Sequence, residues 1–287
     1  MNRILKTPMN RQLITISTWL YLLTGIGCGT WLGNPKDPSQ ENQPPAGNST
    51  VTLNIQGELP TSLQLIANGI NVIGRSGSVI GVLTLTQARV ALKEIKLNFT
   101  NSDVEDRQQF DGPYVVDLLT NKILPDPGTI AVPAGSYKDI KLKLAKLEKN
   151  EISGVVSEND PLIERSIYLT GSYRPQGGSP VTVTMDFDLD EEFVLGRAGS
   201  TFVGMTIVEG QVNPVIIAFN LERWFDFSNS ESDLSDLTGN IVLTKDAEDI
   251  EQKIRQSIKE NVKLSAKFGK DEDNDGELET SEKNEDD

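Results

Sequence analysis

The sequence predicts a mainly β fold, an antiparallel β-sandwich over residues 50–245, followed by a helix and an acidic loop. Runs that alternate apolar and polar residues, such as VTLNIQ at 51–56, recur through the middle of the chain. Turn residues interrupt these runs at intervals of roughly ten residues. No long helical period lies between the runs, which argues against a parallel α/β sheet.

Composition excludes several classes of function. The 287 residues include no histidine and one cysteine, and their net charge is −15. Without histidine, Ser-His-Asp catalysis and ordinary His-containing zinc sites are excluded. The acidity disfavours a nucleic-acid partner, because phosphates and carboxylates repel one another. We therefore predict a protein that is not an enzyme and does not bind nucleic acid.

The N-terminal residues 1–27 have the pattern of a secretory signal. Three basic residues, Arg3, Lys6 and Arg11, lie in the first eleven positions. An uncharged run covers 13–27, and small residues close it. A run this short is marginal for a permanent membrane span. The sequence MNR begins at both Met1 and Met9, so the true start is open between them.

The stretch LLTGIGC at 22–28 resembles the lipobox of bacterial lipoproteins. The resemblance implies that Cys28 carries fatty-acyl chains such as palmitate and becomes the new N-terminus. Gly29, in place of Asp, implies the outer membrane, facing the periplasm or the surface. The alternative is an incidental cysteine in an uncleaved anchor. Residues 28–49 are rich in Pro, Gly, Asn and Ser, which predicts a flexible tether to the membrane.

A second resemblance lies inside the β region. ARVALKEIKL at 88–97, VDLL at 116–119 and PAGSY at 133–137 resemble an uncharacterised domain of bacterial lipoproteins and secreted proteins. That family implies a prealbumin-like or immunoglobulin-like sandwich without an assigned activity. From the residues alone, Pro133 and Gly135 predict a turn into a strand, and Tyr137 is expected to bury its ring while its hydroxyl finds a partner.

Two clusters of polar or aromatic residues are candidate sites. Asp186, Asp188 and Asp190 alternate along one strand face, about 6.6 Å apart. This spacing is too wide to wrap one ion, so we interpret them as a solvated face. The RWFDF cluster at 223–227 is interpreted as the closed end of the core, with a sugar-stacking platform as the alternative.

Residues 246–270 predict an amphipathic helix with Asp246 as its N-cap and Gly269 at its end. Its apolar residues recur at spacings of three and four: Ala247, Ile250, Ile254, Ile258 and Val262. The stripe is expected to dock on the sandwich. Coiled-coil dimerisation is less favoured, because the stripe covers fewer than three heptads.

The acidic tail 271–287 contains a calcium-loop pattern. Its register, D-x-D-x-D-G-x₅-E, is that of an EF-hand loop, and it is filled by Asp271, Asp273, Asp275, Gly276 and Glu282. Glu277 would contribute its backbone carbonyl, and Glu282 would close the site with both carboxylate oxygens. No exiting helix or second hand is visible, so we predict weak Ca²⁺ binding, about 10⁻⁴ to 10⁻³ M. The alternative is a disordered anionic tail.

Together these features predict a lipid-anchored cell-envelope protein with a non-catalytic binding or structural module and a weak calcium loop. Its protein or glycan ligand is not identifiable from the sequence. One alternative is a calcium-dependent adhesin or glycan-binding module. Another is a carboxylate-based hydrolase such as a glycosidase, which would need two facing acids about 5–9.5 Å apart.

Overall fold

The computed structural model describes residues 49–58, 69–99, 107–195, 205–273, 275, 277 and 278. The predicted signal, Cys28, the tether up to residue 48, Gly276 and Glu282 lie outside these residues. The described part is mainly β, as the alternating sequence pattern predicts. No helix in it is long and apolar enough to span a membrane.

Fourteen strands form among the described residues. In chain order they are β1 Ser49–Glu58, β2 Gly69–Ile73, β3 Val79–Phe99, β4 Arg107–Asp117, β5 Lys122–Leu124, β6 Thr129–Val132, β7 Gly135–Leu144, β8 Ile167–Pro175, β9 Val181–Phe187, β10 Glu191–Leu195, β11 Met205–Ile207, β12 Val212–Asn220, β13 Ile241–Leu243 and β14 Ala266–Lys270. The helices are α1 Leu221–Trp224, a 3-10 turn at Leu234–Asp236, and α2 Asp249–Ser265.

The strands form two sheets with a common core. The smaller sheet has the order β14-β12-β1-β6, and the larger sheet is built along β10-β7-β3-β8-β9-β13. Apolar residues alternate inward from both sheets, for example Val51 and Ile217 from the smaller sheet and Leu83 and Leu169 from the larger one, and they share one buried cluster. Helix α2 adds Ile254, Ile258 and Val262 to that cluster, so this part of its predicted apolar stripe docks on the β domain, whereas Ile250 is exposed.

The prediction of purely antiparallel sheets is wrong at two strand pairs. β1 runs parallel to β12 along its whole length, from Thr50↔Val212 to Glu58↔Asn220. β13 runs parallel to β9. The sheets are therefore mixed. Parallel neighbours need a crossover connection, and here the crossover between β1 and β12 contains most of the larger sheet.

Strand β3 continues as one long strand although its register shifts between Leu85 and Gln87 and again between Leu92 and Glu94. Such bulges bend a strand without ending it. The helix predicted over 246–270 covers only Asp249–Ser265, its N-cap is Glu248 rather than Asp246, and residues 266–270 are strand β14.

Candidate metal site and charged cavities

Strand β14 delivers the acidic loop to the outer face of the smaller sheet. β14 pairs antiparallel with β12, and the next residue, Asp271, donates its backbone N–H to the carbonyl of Pro214 at 3.2 Å. The Asp271 side chain is buried, whereas Asp273 and Asp275 are exposed. The start of the loop is therefore fixed to a sheet strand, and the side chains of Asp273 and Asp275 face solvent.

Hydrogen bonds from backbone amides to side chains two residues earlier curl the loop. The backbone N–H of Asp275 donates to Asp273 Oδ1 at 3.2 Å, and the N–H of Glu277 donates to Asp275 Oδ1 at 2.7 Å. Aspartate forms such turns readily, because its short carboxylate reaches the amide two residues ahead. The two bonds therefore bend the backbone between residues 273 and 277.

Three of the sequence-predicted ligands come together in this bend. One carboxylate oxygen from each of Asp271, Asp273 and Asp275 lies within 4.8 Å of the other two. Calcium ligands stand about 2.3–2.6 Å from the ion, so two oxygens on one ion are at most about 5 Å apart. The three carboxylates could therefore hold one metal ion. Glu277 follows them with an exposed side chain, and Glu282 lies outside the described residues.

Leu278 anchors the other end of the described loop. It is buried in a small cluster with Ile216 and Ala218, which project from β12 on the side opposite the main core. The side chain of Leu278 therefore packs on the outer face of the smaller sheet. The loop is thus held at Asp271 and at Leu278, on either side of the exposed carboxylates.

The second aspartate cluster differs from its prediction. Asp186 is not part of a solvated face: it is 8% exposed and accepts a hydrogen bond from Arg165 Nε at 2.7 Å. Arg255 of α2 is 2% exposed and donates to the carbonyls of Asp186 and Leu243. Its guanidinium also lies 4.9 Å from the ring centre of Phe187. Asp188 and Asp190 remain exposed at their side chains.

Arg165, Asp186 and Asp188 line a cavity of about 370 Å³, together with Lys146, Glu164 and residues 244–246. A glycosidase acid needs a carboxyl whose pKa is raised. The hydrogen bond from Lys146 instead lowers the pKa of Glu164. Burial lowers the pKa of the Arg255 guanidinium, while Asp186 and Asp188 oppose that shift. Glu164, Asp186 and Asp188 in this cavity are each paired with a basic side chain.

The aromatic cluster at 223–227 closes the core, as interpreted from the sequence. Trp224, Phe225 and Phe227 are fully buried. The indole Nε1 of Trp224 donates to Ser265 Oγ at 2.6 Å, which joins α1 to the end of α2. With their faces buried, these rings do not form a sugar-stacking platform.

Comparison with protein-family models, with curated proteins and with solved structures finds no match for this chain. The resemblances to lipoprotein signals, to a prealbumin-like domain and to an EF-hand loop therefore stay predictions.

Proposed function

We propose that the C-terminal loop binds Ca²⁺ weakly, on a lipid-anchored cell-envelope protein whose β domain is a non-catalytic binding or structural module. The convergence of the Asp271, Asp273 and Asp275 carboxylates within 4.8 Å carries the proposal. Hard carboxylate oxygens on a curled backbone suit calcium, which accepts six to eight oxygen ligands in adaptable geometry. The Glu277 carbonyl and the Glu282 carboxylate would complete the set.

Calorimetric titration of the full chain with CaCl₂ tests the metal site. We expect saturable heat with a dissociation constant of about 10⁻⁴ to 10⁻³ M, since only one hand is present. Asp273→Ala should weaken binding at least tenfold, because it removes an exposed ligand. Glu277→Ala removes the same charge but keeps the backbone carbonyl, and it should change the affinity less than threefold.

The two variants separate ligation from general electrostatic attraction. If Asp273→Ala and Glu277→Ala weaken binding equally, the tail only attracts cations through its net charge. Absence of heat at 10 mM CaCl₂ would reject the calcium site and leave the anchored β domain. A parallel titration with MgCl₂ should give weaker binding, because Mg²⁺ requires near-octahedral geometry and dehydrates reluctantly.

The anchor is supported by the LLTGIGC pattern and by the polar segment that follows Cys28. More than one acyl chain on a single cysteine makes membrane attachment stable, since each buried CH₂ contributes about 0.8 kcal/mol. We expect the native chain to enter the detergent phase of a Triton X-114 separation and Cys28→Ser to stay in the aqueous phase. An N-terminal peptide of unmodified mass that still carries residues 1–27 would reject lipidation.

A further inference from the structure

A groove lies between strand β13 and the first turn of helix α2, away from the acidic loop. It encloses about 670 Å³, and its walls are residues 236–238, 240–242 and 248–251. One wall is thus a β-strand and the other is the beginning of a helix. Neither the calcium loop nor the charged cavity near Asp186 contributes to it.

Strand β13 is the last strand of the larger sheet. Within the described part of the chain, it pairs on one side with β9 and has no strand on its other side. Ile241 and Leu243 point into the core, while Val242 is 55% exposed. A sheet edge of this kind presents backbone N–H and C=O groups to which an extended peptide can add as a further strand.

The groove carries one sign of charge. Among the described residues that line it, Asp236, Glu248, Asp249 and Glu251 are acidic, and none is lysine or arginine. Arg75 holds Asp236 in an ion pair at 2.8 Å. Asp249 and Glu251 lie in the first turn of α2, where negatively charged side chains interact favourably with the helix dipole. A basic ligand would therefore meet the groups at the helix start.

The helix dipole does not account for the apolar side chains beside these acids. Val242 and Ile250 both line the groove, and they are 55% and 46% exposed. They are two of the six large aliphatic side chains that stand exposed in the described residues. An open strand edge, exposed aliphatic groups and three carboxylates thus occur in one groove.

We propose that this groove binds an extended basic segment of a partner protein, which adds to the open edge of β13. Side chains of an extended strand alternate between its two faces. One set of alternate residues would carry the cations that the Glu248, Asp249 and Glu251 carboxylates attract. The other set would cover Val242 and Ile250.

A fluorescent seven-residue peptide that alternates lysine and valine is the probe, and its anisotropy is measured with the full chain. We expect saturable binding that weakens with added salt, and at least tenfold weaker binding of the matched glutamate–valine peptide. The triple variant Glu248→Gln, Asp249→Asn and Glu251→Gln should lose at least tenfold in affinity. The control is a triple variant that neutralises three acids elsewhere, Glu158→Gln, Glu209→Gln and Glu260→Gln. Its affinity for the peptide should fall less than twofold.

Two further measurements test the strand edge itself. Val242→Lys places a cation on an exposed position and should weaken the lysine peptide at least tenfold without changing the melting temperature. A peptide N-methylated at every valine lacks the backbone N–H donors along one edge of the extended peptide, and one N-methylated at every lysine lacks those along the other edge. Strand addition predicts that the affinities of the two peptides differ at least tenfold. Equal binding of both methylated peptides, or equal losses in the two triple variants, would overturn the proposal.

Discussion

The phenol of Tyr137 lies in the core, and its surroundings favour the protonated form of its hydroxyl. Its hydroxyl donates to the carbonyl of Pro133 at 2.9 Å, and burial raises the pKa of Tyr137 to about 12. Tyr173 donates to the carbonyl of Ile80 at 3.2 Å. Burial, with a smaller contribution from Asp233, raises the pKa of Tyr173 to about 12. An unfolded tyrosine has a pKa of about 10, so the folded chain binds both protons more tightly.

This difference predicts a loss of stability in alkali. The contribution of the two phenols to the free energy of unfolding is complete below pH 10 and is lost as the pH rises from 10 to 12. Urea denaturation between pH 8 and 11.5 measures it. The free energy of unfolding of Tyr137→Phe should fall less steeply above pH 10 than that of the native chain. Both proteins contain the same lysines, so lysine titration does not account for the difference. An identical pH dependence in the two proteins would contradict the prediction.

Sequence reasoning succeeded at Tyr137 and failed at Asp186 for one physical reason, the distance along the chain to the partner. The buried ring and bonded hydroxyl of Tyr137 are confirmed, and its acceptor Pro133 is four residues away. Asp186 looked solvated because its strand alternates. Its carboxylate accepts a hydrogen bond from Arg165, and its backbone carbonyl accepts one from Arg255, which is 69 residues further along and reaches it only through the fold. An alternating pattern carries no information about that contact.

At the scale of elements, Arg255 joins helix α2 to the edge of the larger sheet. Its Nη1 donates to the carbonyls of Asp186 on β9 and Leu243 on β13. Its Nη1 also lies 3.9 Å from Asp186 Oδ1, while Arg165 holds the other oxygen of that carboxylate. The helix is therefore fixed at this point by buried polar contacts as well as by its apolar stripe.

Arg255→Met should destabilise the domain by about 3 kcal/mol, because two buried carbonyls lose their donor while Asp186 keeps Arg165. Lys253→Met is the matched control on the same helix. The Lys253–Glu231 pair is exposed at both side chains, so its loss should leave the denaturation midpoint nearly unchanged. Urea denaturation followed by circular dichroism measures both. Equal midpoints for the two variants would show that Arg255 does not fasten the helix.

The predicted C-terminal end of α2 was wrong because local signals there are ambiguous. Gly269 resembles a helix C-cap, and the lysines before it suit the helix dipole. In the structure Gly269 pairs with Ile216, and Phe268 is buried opposite Ile217. Five residues are too few to establish a two-residue period, so the strand is determined by its neighbour β12.

At the scale of the whole molecule, alternation was enough to predict a mainly β domain but not its strand order. In β1 and in β12, a set of apolar side chains points into the core, as expected of a strand. A strand has the same inward side chains whether its neighbours are parallel or antiparallel. The same limit applies to sites. The three aspartates of the candidate metal site are close in sequence, so their spacing predicts them. The groove at β13 instead joins residues 236–238 and 240–242 to 248–251 through tertiary packing.

The order of strands in the smaller sheet has a consequence for biosynthesis. Its first strand, β1, begins at Ser49, but both of its neighbours arrive later, and β12 and β14 are among the last parts to be made. Pairing of such distant segments must wait until both exist. A nascent chain that ends before residue 212 therefore has two of the four strands. The smaller sheet of such a chain stays incomplete until β12 and β14 have been made, although its first strand was made long before.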